Sequence, residues 1–471
     1  MLSIVLLLGT LGLAESAAIG ITDKLQQAER EKAAKQWAPV VWLHPDENFF
    51  PSSVNDFLQH VKPSKAANNR SWNTVDGDES ATLMSSLPVG KPSRRSFLLA
   101  SHDFGCSNCP LPKFLFGKKP DGHDSPSVYA IIHSCSMQPT RRESRSTYGL
   151  DFEHYDFPSN NGKNKNPLPL QRERQRGHQT TKHMSTAPTK ILGVSHFETS
   201  SGPFKQNNVT SLNQQSSHIQ NAAELYHSNK KRHTTNASVD EAEPYQQHFT
   251  ITYWTFYPYN RGKSICSTNL GYFMGRVFKP RVNGICHGEE VTFGDHVGDW
   301  EHVSIQFKGS TPIQMYVSTH TFGAYYTYDA YRHEFLYARE DVRKGIPMSP
   351  NYPKTVQLTE SHPVLYAAQG SHGLWGSPGI HQFSNLPLLQ DKTGKGTAWK
   401  TWLNMDLIHL KDSLAMARPH RHWLLYEGYW GNPSTRCHIF MAGFCELAKG
   451  PTGIPRKRVN FPCQNITVTN P

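Results

Sequence analysis

The sequence predicts a mainly β protein: an antiparallel β-sandwich with a few peripheral helices, interrupted by a long disordered insertion. Three observations predict it. From residue 248 onward, short runs dense in aromatic and β-branched residues alternate with turn residues at fairly regular intervals, as sandwich or barrel strands do. Residues 138–247 change texture, since only 25 of those 110 residues are hydrophobic and none is Cys or Trp, too few for a packed domain. Yet the whole chain of 471 residues carries 10 Trp, 19 Tyr and 23 Phe, far more aromatics than a disordered protein has. The 37% hydrophobic average is therefore the dilution of an ordinary core by one polar segment.

The elements follow in chain order. Leu2 to Leu13 forms a short apolar run and Ser16-Ala17-Ala18 supplies small residues for cleavage, so residues 1–18 read as a secretory signal peptide. No apolar run of about 18 residues occurs, so no transmembrane segment is expected once the signal is removed. Residues 19–137 form the first part of the sandwich domain with flanking helices. Asp23 to Trp37 reads as a helix that stops before Pro39. Ser53 opens a second in capping-box fashion, with Val54, Phe57, Leu58 and Val61 on one face. The insertion at 138–247 holds 14 Lys+Arg and 10 Asp+Glu, hence +4 of the chain's +11. Despite the cluster Arg172, Arg174 and Arg176, that is no concentrated basic face, and a flexible glycosylated insertion is expected rather than a nucleic-acid arm. Residues 248–463 carry the main part of the sandwich, with strands at Phe249–Tyr257, His302–Phe307, Ile313–His320 and Val364–Ala368 and a short helix at Thr397–Leu403. Residues 464–471 are a flexible tail.

Cysteines give the compartment. There are eight: Cys106, Cys109, Cys135, Cys266, Cys286, Cys437, Cys445 and Cys463, an even number that permits four disulfides in 105 arrangements. Cys266 with Cys286, and Cys437 with Cys445, are spaced to close local loops. Cys106-Ser-Asn-Cys109 lacks the second ligand pair of a zinc site and a thioredoxin-like context, so a structural disulfide is expected there. Sequons at Asn69, Asn208, Asn236 and Asn465 suit N-glycosylation. Signal, cysteines and sequons together place the chain outside the cell or in the lumen of the secretory or vacuolar-lysosomal pathway.

The densest polar cluster runs from Gly294 to His302. Along a strand, Asp299 and Glu301 point to one face, and Val303, Ile305 and Phe307 continue it. Two carboxylates at the end of an apolar face need a cation, an arginine or a set of donors. With His296 folding back from its Gly-flanked loop, His296, Asp299 and Glu301 suit a divalent ion such as Mg²⁺, Ca²⁺ or Mn²⁺; the plainer alternative is an arginine or backbone amides. A second cluster, Gln369 to Gly376, follows a strand and brackets His372 with glycines, with His381 nine residues on. No hydrolase elbow is present there, and a loop histidine bonded to backbone is the plainer reading. An enzymatic alternative is a metal-dependent hydrolase built on Asp299, Glu301, His296 and His372, with Glu301 and His372 as its catalytic groups. His302 belongs to the same neighbourhood. His420 and His422 share a face if extended, and Tyr325, Tyr326 and Tyr328 offer either a sugar or headgroup platform or core packing.

These segments carry a family likeness. Trp37-Ala38-Pro39-Val40-Val41-Trp42-Leu43-His44-Pro45 with Glu47 to Pro51, Tyr253 to Asn260, Gly298-Asp299-Trp300-Glu301-His302, Ala367 to Gly373, Pro378-Gly379-Ile380-His381 and Gly396 to Trp402 resemble the vacuolar protein sorting-associated protein 62 family. The likeness covers about 37–135 and 248–455, and 138–247 departs from it. A more distant likeness is to necrosis- and ethylene-inducing secreted proteins, whose His-Asp-Trp-Glu motif parallels His296 to Glu301. That likeness implies a β-sandwich holding a divalent cation through Asp299, Glu301 and, approximately, His296, since Val297-Gly298 breaks the adjacency.

The function expected is a non-enzymatic binding module acting at membrane headgroups, glycans or a luminal protein, or in vacuolar sorting. Positive charge favours acidic surfaces at low salt. Thirteen histidines between His248 and His438 would strengthen the attraction near pH 6.

Overall fold

The computed structural model describes residues 24–65, 87–88, 90, 94–106, 109–134, 248–271, 275–341, 348–385, 387–410, 419–441, 443–458 and 460–461. The chain divides into one unit of 1–154 with 245–471 and another of 155–244; the second lies outside the described residues. So do the expected signal peptide, the four sequons, Cys135, Cys463, the C-terminal tail and the 138–247 insertion.

The mainly β class holds. One large curled sheet of twelve strands carries the fold. From one edge to the other its path runs Ala398–Lys400, Val40–Trp42, His362–Ala367, Thr355–Thr359, Glu334–Asp341, Phe322–Asp329, Thr311–Thr319, His296–Lys308, His248–Asn260, Val128–Ser134 and Met405–His409. Leu374–Trp375 pairs off this path. Pairing is antiparallel except at two places near the ends, where Val40–Trp42 runs parallel to His362–Ala367 and Met405–His409 parallel to Val128–Ser134. The sheet is continuous across the long interruption in sequence, because Ser134 pairs with Phe249 and Tyr129 with Trp254.

The centre of the sheet is buried on both faces. On His248–Asn260, Ile251, Tyr253 and Tyr257 enter one core while Trp254 and Phe256 enter another. On His296–Lys308, Val303, Ile305 and Phe307 join the first core and Trp300 the second. The side-chain period of two thus feeds two apolar clusters from one strand pair. Strands from both ends of the path, with Val41, Leu365 and Trp399 at one end and Val128 and Ile132 at the other, meet in the first core. A flat sheet of this width could not bring them together; the right-handed twist and curl do.

Two helices lie among the described residues. One spans 24–36 and buries Ala33 and Ala34 beside Trp37 in the first core. The other, Val54–Leu58, is capped by Ser53, whose side chain accepts from the Asp56 amide at 3.1 Å, and it buries Val54, Phe57 and Leu58. Both match expectation. The helix expected at Thr397–Leu403 is instead the edge strand Ala398–Lys400. Its Trp399, 1% exposed, pairs with Val41 and enters the core, and that burial overrides local propensity. The Pro419–Trp423 stretch lies in a 3₁₀ helix, Pro419–Leu425, so it lacks the extended geometry that puts His420 and His422 on one face. Tyr325 and Tyr326 are both buried, separated by an irregularity in pairing with Glu334–Asp341, so this run serves packing. Among the described residues, three disulfides join Cys106 to Cys109, Cys266 to Cys286 and Cys437 to Cys445, the local loops that spacing suggested.

Gly298 shows how tightly the second core is built. Its φ is +68°, and a Cβ there would sit 1.9 Å from the Trp430 carbonyl oxygen. Gly298→Ala combines left-handed strain with a backbone clash and should cost on the order of 3 kcal/mol, read as a lower midpoint in denaturant. Gly284→Ala, at φ +78° with open space around it, should cost only about 1 kcal/mol. Equal losses at the two positions would contradict this packing.

Candidate functional site

The Gln369–Gly373 loop follows the His362–Ala367 strand, and nearly every residue of it is tied to a different part of the chain. The Gln369 amide donates to the Lys392 carbonyl at 2.8 Å and its side chain to the Asp46 carbonyl at 3.1 Å. The Gly370 amide donates to Glu47 Oε2 at 2.8 Å, while its carbonyl accepts from the Arg261 amide at 2.7 Å. Glu47 Oε1 also accepts from the amides of Asn48 and Phe49, so this buried carboxylate sits in a cradle of three backbone donors.

His372 is fully buried and holds a left-handed backbone, φ +59°. Such strain persists only where neighbours over-determine the position. Here they do. Nε2 donates to the Phe49 carbonyl oxygen at 2.9 Å, Nδ1 lies 3.1 Å from Asp299 Oδ2, and the ring stacks on Tyr257 with centroids 3.8 Å apart. A carbonyl only accepts, so Nε2 carries a proton, and a second proton is shared between Nδ1 and Asp299. Burial opposes ionisation of Asp299, but the His372 hydrogen bond and the charges of His296 and His372 hold its carboxyl below the ordinary range. Glu301, two residues on and on the same side, goes the other way. Burial first, and the Asp299 charge second, push its carboxyl well above the ordinary range, although Ser318 Oγ donates to it at 2.7 Å. The two carboxyls are thus pushed in opposite directions.

A second buried centre lies on the other side of the loop. Asp391, on the Leu388–Thr393 strand, is fully buried and accepts from Lys263 Nζ at 2.5 Å, Ser371 Oγ at 3.1 Å, His320 Nε2 at 3.0 Å and Trp375 Nε1 at 2.8 Å. Lys263 also donates to Ser371 Oγ at 2.7 Å. Burial opposes its charge, yet the Lys263 and His320 charges and hydrogen bonds outweigh it and hold the Asp391 carboxyl far below the ordinary range. Ser371 gains no base from this arrangement, because the Lys263 ammonium is already engaged in donating to a buried carboxylate.

The residues singled out in sequence divide accordingly. Asp299, Glu301 and His372 are brought together, without an arginine. His296 bonds through Nδ1 with the Gly298 carbonyl at 2.7 Å, and burial lowers its pKa. His302 faces away, stacked on Trp254 and 2.8 Å from Asn460 Nδ2. His381 stacks on Trp375 and bonds to Ser377 and Thr393 rather than to His372. Among the described residues no group of three or more His, Cys, Asp or Glu side chains converges as a metal-binding set. Asp391, Lys263 and the Glu47 cradle were not found from sequence. The only trace of Asp391 is an acid alternating with apolar Leu389 on a short strand, and no local pattern pairs it with Lys263.

Beside these centres opens a cleft of about 820 Å³. It is lined by Asp46 to Phe49, Arg261 to Ser264, Arg281, Gly284, Glu290, Thr292, Gln369, Gly370, Leu388, Gln390 and Lys392. Charges of both signs alternate with amides and hydroxyls. Arg261 pairs with Asp295 and Arg281 with Glu290, whereas Lys392 is exposed and has no ion-pair partner among the described residues.

Two titrations follow. The raised Glu301 stays protonated in the folded chain after the unfolded one has ionised, so its contribution is fullest below about pH 4.3 and is lost as pH rises toward the folded value. Glu301→Gln should remove that decline and match or exceed wild-type stability at pH 7, measured by denaturant unfolding across pH. Asp391 contributes in the opposite sense: present above about pH 3.9 and lost as pH falls through its depressed folded value. Asp391→Asn leaves the Lys263 ammonium without its carboxylate and should cost about 3–5 kcal/mol at neutral pH, with a shallower acid limb.

Comparison with known proteins gives two relatives, both from Saccharomyces cerevisiae. The chain is 27% identical over 187 residues to "Putative vacuolar protein sorting-associated protein TDA6", covering 38% of this chain and 34% of that protein. It is 26% identical over 192 residues to "Vacuolar protein sorting-associated protein 62", covering 37% of this chain and 38% of that one. The matches thus span little more than a third of either relative's length. No protein-family profile and no solved structure matches. The likeness to necrosis-inducing proteins finds no support among these relatives. The chain is a distant relative of the vacuolar protein sorting-associated protein 62 family.

Proposed function

We propose that the protein is a non-enzymatic binding module of the secretory or vacuolar route, and that its ligand occupies the 820 Å³ cleft. The ligand class is a polar molecule that joins phosphate or carboxylate to hydroxyl groups, a chemistry shared by lipid headgroups and acidic glycans. The observation that carries this reading is the contrast between the buried centres and the cleft. His372, Ser371 and Asp391 are at most 2% exposed, and their hydrogen bonds are spent within the protein. They support the cleft wall and leave no free nucleophile or base for a substrate. The cleft itself offers open donors and acceptors, including the Lys392 ammonium, and its size suits a small polar ligand. A role in sorting draws on the names of the two yeast relatives, and a luminal location agrees with three disulfides. No helix among the described residues is long and apolar enough to cross a membrane.

Isothermal titration of the full-length secreted protein with glycerophosphoserine and with sialyllactose tests the reading. Binding of at least one is expected, weakened about tenfold by Lys392→Glu and by raised salt, and unchanged by EDTA. No binding of either probe, or equal binding by Lys392→Glu, overturns the cleft assignment. Loss of binding in EDTA, restored by Mg²⁺, Ca²⁺ or Mn²⁺, would return the cation to Asp299 and Glu301.

A further inference from the structure

Arg281 and Gly284 of the 279–287 hairpin line the cleft, and the tip of that hairpin displays two apolar side chains. Val282 and Ile285 exchange backbone hydrogen bonds at 3.0 and 2.9 Å around an Asn283-Gly284 turn with φ +50° and +78°, the geometry of a tight two-residue hairpin. The two apolar side chains so displayed are 56% and 60% exposed. Leu388, which also lines the cleft, is 47% exposed. Holding apolar side chains at the apex of a rigid turn brings the folded protein no burial, and Asn-Gly alone would make the turn.

Charge within the hairpin itself is positive, and the two acids that follow it, Glu289 and Glu290, are paired with Arg276 and Arg281. Residues 279–288 contain Lys279 and Arg281, with His287, and no acid. Arg281 is paired with Glu290, but Lys279 donates to the His287 carbonyl oxygen, which leaves its charge uncompensated there, and Lys392 also lines the cleft. The Cys266–Cys286 disulfide anchors the hairpin to the Lys263–Asn269 strand, so the tip is displayed in a fixed position. Apolar residues on a disulfide-anchored apex with the Lys279 ammonium at its base complement an anionic bilayer: the apex enters the interfacial layer and the cation meets headgroups.

We propose that this hairpin is a membrane-insertion tip, with Val282 and Ile285 entering an anionic bilayer. The proposal rests on the cleft reading and deepens it, because a tip seated in the interface delivers a lipid headgroup, rather than a free glycan, to the cleft. The hairpin extends from a disulfide-anchored base and buries neither side chain, so changing them leaves the cores untouched.

The test is co-sedimentation of the full-length secreted protein with phosphatidylcholine vesicles, with and without phosphatidylserine. Wild type is expected to partition to the phosphatidylserine vesicles in a salt-sensitive way. The Val282→Asp/Ile285→Asp variant should lose about tenfold or more of that partition while keeping its titration with soluble glycerophosphoserine. Val282→Ser/Ile285→Ser, which adds no charge, should lose partition as well, and a wild-type near-ultraviolet spectrum establishes that each variant is folded. Lys392→Glu should lower both readouts. Undiminished vesicle binding by the folded tip variants overturns the inference. Soluble headgroup binding without any vesicle binding by wild type also overturns it and leaves the cleft reading standing. Absence of both bindings overturns the two together.

Discussion

Burial of ionised side chains without solvent to compensate them is the constraint around which this fold is arranged. Asp299 and Asp391 are both removed from water, and an unpaired buried charge costs several kcal/mol. Each is met by donors that come from distant parts of the chain. Asp299 takes His372; Asp391 takes Lys263, Ser371, His320 and Trp375. Because Ser371 and His372 are adjacent, the two carboxylates hold one loop between them from opposite sides. Release of either would leave a charge in the apolar interior, so the loop, the central strands and the Leu388–Thr393 strand are locked as a unit.

That lock reaches the N-terminal segment as well. Glu47 gathers the amides of Asn48, Phe49 and Gly370, and the Phe49 carbonyl takes the second nitrogen of His372. The Val40–Trp42 strand just before it lies between His362–Ala367 and Ala398–Lys400. Residues separated by more than 300 positions thereby close one edge of the sheet. The backbone strain of His372 is affordable in this setting, since its two ring nitrogens and its stacking on Tyr257 specify the position from three directions. The cleft inherits its rigidity from the same bonds, which preorganises it for a ligand.

Much of this was legible in local pattern, and the failures have physical reasons. Asp299 and Glu301 share a face with Val303 and Ile305, as the strand period requires, and need for partners could be read from the sequence. The partners could not. Ser318, His372 and Lys263 belong to other strands and loops, and no spacing rule connects residues 73 or 128 positions apart. His296 was placed near Asp299 by sequence, and the bond of its Nδ1 with the Gly298 carbonyl is a detail that only the fold supplies. Thr397–Leu403 was misread because so short a run does not separate helix from strand by pattern; the pairing of Trp399 with Val41 makes it a strand.

The sequence by itself determined the mainly β class, the capped helix at Ser53 and the face shared by Asp299 and Glu301, and it offered the three local disulfide loops as candidates. All of these follow from periodicity, capping or short spacing, and so are properties of neighbouring residues. Tertiary structure alone decided that the sheet curls until both ends share one core. It also decided that Asp391 is the second centre, and that Arg281 and Gly284 of the 279–287 hairpin line the cleft. Those outcomes depend on where distant strands meet, and the energy that selects them comes from burying charge and apolar surface together.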